Sequence, residues 1–226
     1  MQLLNLFGNP NIGVYGYTND LFCIVPPIIT KSNTELISDV LNVPAYKLHI
    51  SNSRIIGIFL SGNSKGLLVP RMITDREMTS IENIISELDL DFTIKILPSD
   101  LTAIGNNVLI NDHAAIINPD YDPKIKELIR ETCYVDEVIQ RRIVNSKLVG
   151  SNALITNKGL LVNPNVRIEE LDFLEDFFKV KADIGTVNRG VVYIGSSGII
   201  ANKYGAIIGR DTTGPELQRI GSVLEL

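Results

Sequence analysis

One two-residue step recurs five times along this chain and constrains what it can fold into. Ile12–Gly13, Ile56–Gly57, Ile104–Gly105, Val149–Gly150 and Ile194–Gly195 set their glycines 44, 48, 45 and 45 residues apart. A second anchor keeps the same beat. Pro26, Pro70, Pro119 and Pro164 follow their glycines by 13 or 14 residues, and Gly209 takes that place in the fifth copy. Self-similarity at a fixed period marks a repeat architecture, in which no unit buries its apolar face alone. Five equal units are the frame for everything else.

The second unit serves as the type. Arg54–Ser61 is apolar and β-branched, which predicts a strand, and Gly62–Gly66 supplies a turn rich in Gly and Asn. Leu67–Val69 predicts the return strand, stopped at Pro70, which has no N–H to donate to a ladder. Thr74 and Glu77 have the spacing of a capping box. Met78, Ile81, Ile85 and Leu88 then fall on one face of a helix, and Phe92–Leu97 predicts a strand leading into the next unit. The unit therefore reads as hairpin, helix, strand. The other units repeat it, with Pro123 at the first helical position of the third and Thr213–Glu216 opening the helix of the fifth.

Units one to four each end in a strand, whereas the sequence stops at the fifth helix. Gln2–Phe7 precedes the first Gly step much as Lys47–Ser51, Phe92–Leu97 and Val138–Val144 precede theirs. The N-terminal strand is thus expected to complete the fifth unit and close a ring, which removes the exposed ends of an open array. The expectation is an α/β fold: a closed, pseudo-fivefold ring in one domain over residues 1–226. Its units span about 8–51, 52–98, 99–144, 145–187 and 188–226, the last completed by residues 2–7. At a crowded axis the Gly steps would allow close backbone approach. Asn106, Ser151 and Ser196, each following its glycine, would ring one mouth of an axial channel or satisfy backbone groups there.

Composition narrows the function classes. The formal charge is −5, and the densest basic pair, Arg141–Arg142, has no third basic neighbour. A chain that binds nucleic acid mainly through phosphates normally carries a basic stripe, so the expected partner is a protein. No apolar run approaches the roughly 18–20 residues of a membrane span, and MQLLNLFGNPN has no secretory n-region. Cys23 and Cys133 lie in segments expected to be packed, which suits free thiols in a reducing cytoplasm. His49 and His113 have no companion at metal-ligand spacing, and no glycine pattern has the phosphate-cradling form. Neither a metal nor a cofactor is expected. The acidic run Glu169, Glu170, Asp172, Glu175 and Asp176 reads as a solvated helix face.

Six segments resemble the archaeal and eukaryotic translation initiation factor 6 family, a family of ribosome anti-association factors, in its archaeal form. They are Arg54–Gly57, Gly66–Pro70, Ala103–Asn106, Gly159–Val162, Gly185–Gly190 and Asp211–Glu216, spread from end to end of the chain. The resemblance implies a pentein-type fold and a role without catalysis, in which a monomer binds the large ribosomal subunit at its joining face. There it blocks the small subunit, with a further part in subunit maturation. Ribosomal proteins would be the contacts, with the sarcin–ricin loop of the rRNA close by. It carries Gly13, Gly57 and Asn106 over as ribosome-binding residues, with Arg54, Asn188 and Arg189 beside them. Ile58 stands where many eukaryotic members have a basic residue, so a charged contact there is not carried over. The alternative is a guanidine-modifying pentein enzyme, a deiminase or amidinotransferase. Such an enzyme needs a cysteine nucleophile, which those enzymes carry near the C-terminus, and none lies after Cys133.

Overall fold

Five three-stranded sheets stand around a common axis in the computed structural model, which describes residues 1–195 and 197–226. Each sheet has an inner strand next to the axis, a middle strand antiparallel to it and an outer strand parallel to the middle one. In the second unit these are Ser61–Gly62, Gly66–Pro70 and Thr93–Leu97. A helix, Asp75–Glu87, connects the middle strand to the outer one across the outside of the ring. The corresponding helices are Lys31–Leu41, Lys124–Cys133, Ile168–Phe178 and Gly214–Leu224. The arrangement is a closed α/β ring of pentein type.

Middle strands are buried on both faces. Gly66–Pro70, Ala114–Ile117, Gly159–Val162 and Ala206–Gly209 are buried at every residue, so they read as continuous apolar runs without alternation. The helices are amphipathic and complete cores shared between neighbours. Leu68 of the second unit packs with Ile125, Ile129 and Cys133 of the third, and Leu161 of the fourth with Ile220, Val223 and Leu224 of the fifth. No unit owns its core. Closure uses the first strand of the chain: Gln2–Leu4 runs parallel to Ala206–Gly209, with Gln2 opposite Ile207 and Leu4 opposite Gly209.

The Gly steps are not on strands. Ile56–Phe59, Ile104–Asn107 and Val149–Asn152 are single helical turns, and Ile12–Val14 is a 3₁₀ turn. Apolar β-branched residues suit a buried turn as well as a strand, and at the axis a strand would find no ladder partner. The backbone satisfies itself instead, with Ile58 N donating to Ile55 O at 3.2 Å and Leu60 N to Ile56 O at 3.2 Å.

This chain path gives the ring two unlike ends. Outer strands, Gly steps, loops after the middle strands and helix N-termini meet at one end, the glycine face. Inner-to-middle hairpin turns and helix C-termini meet at the other, the hairpin face.

Candidate functional site

At the axis the five glycines stack main chain on main chain. A Cβ on Gly57 would lie 2.1 Å from the Gly13 carbonyl oxygen, and one on Gly105 would lie 2.0 Å from that of Gly57. Gly150 meets Gly105 at 2.1 Å and Gly195 meets Gly150 at 2.0 Å. Gly13 closes the circuit at 2.9 Å from the carbonyl oxygens of Ser197 and Ile199. Together they line an axial cavity of about 120 Å³. Gly13 and Gly57 are thus first of all what lets the ring close on itself.

Asn106 follows the third glycine in the single turn Ile104–Asn107. Its Oδ1 is buried and, among the described residues, accepts no hydrogen bond. Buried polar atoms are nearly always paired, so this one is an exception beside the axial glycines. Ser151 is buried, and Ser196 lies outside the described residues.

Four tight turns project around the same face. Each contains main chain with positive φ: Phe7–Gly8, Ser51–Asn52, Val144–Asn145 and Asn188–Gly190. Three are pinned by the glutamate at the third position of the next long helix along the chain. Glu77 accepts from Ser51 N at 2.9 Å and Asn52 N at 2.8 Å while it also closes the capping box with Thr74. Glu216 takes Gly190 N at 2.9 Å and Arg189 N at 3.3 Å, and Glu170 takes Val144 N at 3.3 Å. Burial alone would push the Glu216 carboxyl up. Main-chain N–H groups of Thr213 and Gly190 and the hydroxyls of Thr186 and Thr213 outweigh it and hold the group down at about 2. Glu77 is lowered in the same way, burial being outweighed by the N–H groups of Thr74, Asn52 and Ser51. The capping spacing was legible in the sequence; its second use as a clamp on a distant turn was not.

The remaining sequence-derived candidates divide. Arg54 is exposed, its guanidinium 5.7 Å from the Phe7 ring centre. Arg189 is exposed at the tip of its turn. Asn188 is buried and turned inward, donating to Pro10 O at 3.0 Å and Asn11 Oδ1 at 3.3 Å and accepting from Thr212 Oγ1 at 3.2 Å. It ties the fifth unit to the N-terminal segment. The chain path places Gly13, Arg54, Gly57, Asn106 and Arg189 on the glycine face together. Arg71, Arg141, Arg142, Arg167 and Arg210, scattered in sequence, also come to that face, because each ends a strand or opens a helix there.

The hairpin face is built differently. Asn19, Asn63, Asn111 and Asn202 occupy equivalent turn positions, and each accepts two turn amides on Oδ1. Each also sends Nδ2 into the next unit: Asn63 to Asn111 O and Cys133 O, Asn111 to Phe178 O, Asn202 to Asn19 O and Leu41 O, Asn19 to Asn63 O. Thr156 holds the position in the fourth unit; its hydroxyl accepts the two turn amides and has no amide to send onward. Above this ring the Asn157 amide bridges the carboxylates of Asp20 and Asp112 at 2.7 and 2.8 Å.

Neither thiol is set up for nucleophilic chemistry. Cys23 and Cys133 are buried, and loss of hydration pushes both up to about 12, far from the thiolate a nucleophile needs. His49 and His113 are exposed and belong to different units. Among the described residues no group of His, Cys, Asp and Glu could hold a metal ion, and no helix is long and apolar enough to cross a membrane.

A model of the eIF-6 family matches residues 1–223. A translation initiation factor 6 of Saccharolobus islandicus is 40% identical over 224 residues, 99% of this chain and 98% of that protein. Proteins of the same name from Thermococcus onnurineus (38% identical, covering 99% of this chain and 97% of that protein) and Methanocaldococcus jannaschii (39%, covering 97% and 95%) are similar at comparable levels. Among solved structures, a DDAH of Pseudomonas aeruginosa overlays at a TM-score of 0.46 and 10% identity, over 79% of this chain and 69% of that one. With a family model matched over residues 1–223 and relatives of this name 38–40% identical over nearly the whole of both chains, the chain belongs to the eIF-6 family.

Proposed function

We propose that the ring docks through its glycine face on the joining face of the large ribosomal subunit and keeps the small subunit away by occupying its place. Membership of the eIF-6 family over residues 1–223 carries this reading, with relatives named translation initiation factor 6. Exclusion by volume asks for no chemistry, only a rigid body and a specific interface of roughly 800 Å² on each side. The glycine face offers what such an interface uses. Phe7, Met72, Leu148, Tyr193 and Ile28 stand exposed there beside Arg54 and Arg189, and aromatic, methionine and arginine side chains are enriched at the centres of interfaces. Asn106, partly exposed in the turn after the third glycine, adds a polar side chain there. Ribosomal proteins supply the contacts, with rRNA alongside; the factor acts as a monomer in the cytoplasm and attends subunit maturation through the same occupancy.

Sedimentation of purified subunits with the protein tests this. Co-migration with the large subunit, and loss of joined ribosomes on adding the protein, is expected. Co-migration with the small subunit alone, or with neither, overturns the reading. Asn106→Asp brings a charge to this side chain with little change of shape, so it should weaken large-subunit binding while the ring still folds, which circular dichroism checks. Equal affinity removes Asn106 from the interface.

A further inference from the structure

We infer that a cleft at the rim of the glycine face, between Arg141, Arg142 and Arg167, is a phosphate site that grips the backbone of a short RNA segment. The inference rests on the docking reading above and gives an RNA contact a place and a set of residues. In sequence Arg141–Arg142 has no third basic neighbour. The fold supplies one. The third outer strand delivers the pair to the glycine face, and the loop before helix Ile168–Phe178 brings Arg167 across from it. Between them is a cleft of about 470 Å³, also lined by Asn145 and Asn165. That volume lies in the range of small-ligand sites.

The three guanidinium groups are uncommitted to carboxylates. Arg71, Arg130 and Arg219 each face one, on Asp100, Glu127 and Asp183. Among the described residues Arg141, Arg142 and Arg167 form no salt bridge, although Glu169 and Glu170 line the same cleft. Glu170 is engaged by the Val144 amide. Arg141 Cζ sits 4.0 Å from the Phe173 ring centre, and Arg142 donates to Asn145 O at 3.2 Å, so both heads are held while N–H groups remain free. Three arginines lining one volume outnumber the two carboxylates in its walls, Glu169 and Glu170, and their planar forks suit the three acceptor oxygens and the charge of phosphate. The amides of Asn145 and Asn165 are within the same walls and suit a sugar hydroxyl or a base edge. Beyond the cleft, Asp172, Glu175 and Asp176 on the same helix repel a longer polyanion. The footprint is therefore one or two phosphates of a loop, not a track along a duplex.

Fluorescence anisotropy of a labelled RNA stem-loop, titrated with the full chain at several salt concentrations, tests the inference. Arg142→Gln and Arg167→Gln should each weaken binding roughly tenfold, and lower the slope of log affinity against log salt by about 1 for each phosphate left without its arginine. Lys158→Gln on the hairpin face should change neither, and thermal unfolding should be the same for all three. RNA affinity equal to wild type in both arginine variants overturns the site, as does absence of RNA binding by the wild type. Displacement of RNA by a polyglutamate peptide as effective as unlabelled RNA assigns the cleft to carboxylates and also overturns it. Subunit sedimentation separates the two readings. Wild type that co-sediments with the large subunit, while the RNA experiment fails, refutes the cleft alone; wild type that binds no large subunit refutes the docking reading itself.

Discussion

A methyl group on Gly57 would press into the carbonyl oxygen of Gly13 from 2.1 Å, and two main chains have no rotamer with which to move aside. Gly57→Ala should therefore cost on the order of 3 kcal/mol or more, at the upper end of what overpacking does. Gly214, by contrast, has open space where its Cβ would be. Gly214→Ala should change stability by no more than about 1 kcal/mol either way, the gain from a less flexible unfolded chain being offset by crowding of the new Cβ against Pro215. Urea unfolding of both variants checks the pair; equal midpoints would remove steric closure as the reason for glycine at the axis. The glycine period was plain in the sequence, since spacing survives whatever the local conformation is. The conformation was not. A β-branched residue before glycine suits a strand and a buried turn equally, and only the missing ladder partner at the axis decides between them. Asn188 shows the converse limit: nothing local distinguishes a polar residue that faces a partner from one that latches the fifth unit to Pro10.

The hairpin turn is the element that joins unit to unit. Asparagine suits it twice over, with one amide end closing its own turn and the other reaching the neighbour's carbonyls. The relay runs one way around the ring, from Asn202 through Asn19, Asn63 and Asn111, and stops at Thr156. Among the described residues, that seam on this face has an exposed reach of Lys158 Nζ to Glu225 O at 3.4 Å. Thr156→Asn should restore the relay and stabilise the protein by about 1 kcal/mol, the net worth of a buried hydrogen bond. For a chain of this size that is a rise of roughly 2–4 °C in Tm. Calorimetry showing no rise, or a fall, would mean the fourth and fifth units sit too far apart to be clipped. Turn residues at the right intervals were legible from sequence. Their reach into the next unit was not, because it depends on which carbonyls the next helix leaves at its C-terminal end.

At the scale of the whole molecule, closure depends on one short strand. Gln2–Leu4 supplies the outer edge of the fifth sheet, and Leu4 and Leu6 help to bury Ile207 in the core under the first helix. Removing residues 1–6 should leave the Ala206–Gly209 edge open and abolish a single cooperative thermal transition. An unchanged single transition would show that the ring holds without its closing strand. The closing strand was the most legible long-range contact in the sequence, because four units displayed a strand that the fifth lacked. The arginine cleft was the least legible, because Arg142 and Arg167 meet only through the curvature of the ring. The pairing of the first strand with the last sheet also has a consequence for synthesis. A chain emerging from its N-terminus must keep Gln2–Leu4 waiting until Ala206–Gly209 has appeared. Any copy that stops short therefore retains a bare β edge and an uncovered apolar core, which marks it for proteolysis or aggregation. The closed ring thus acts as a test that the chain has been made at least through the middle strand of its fifth sheet.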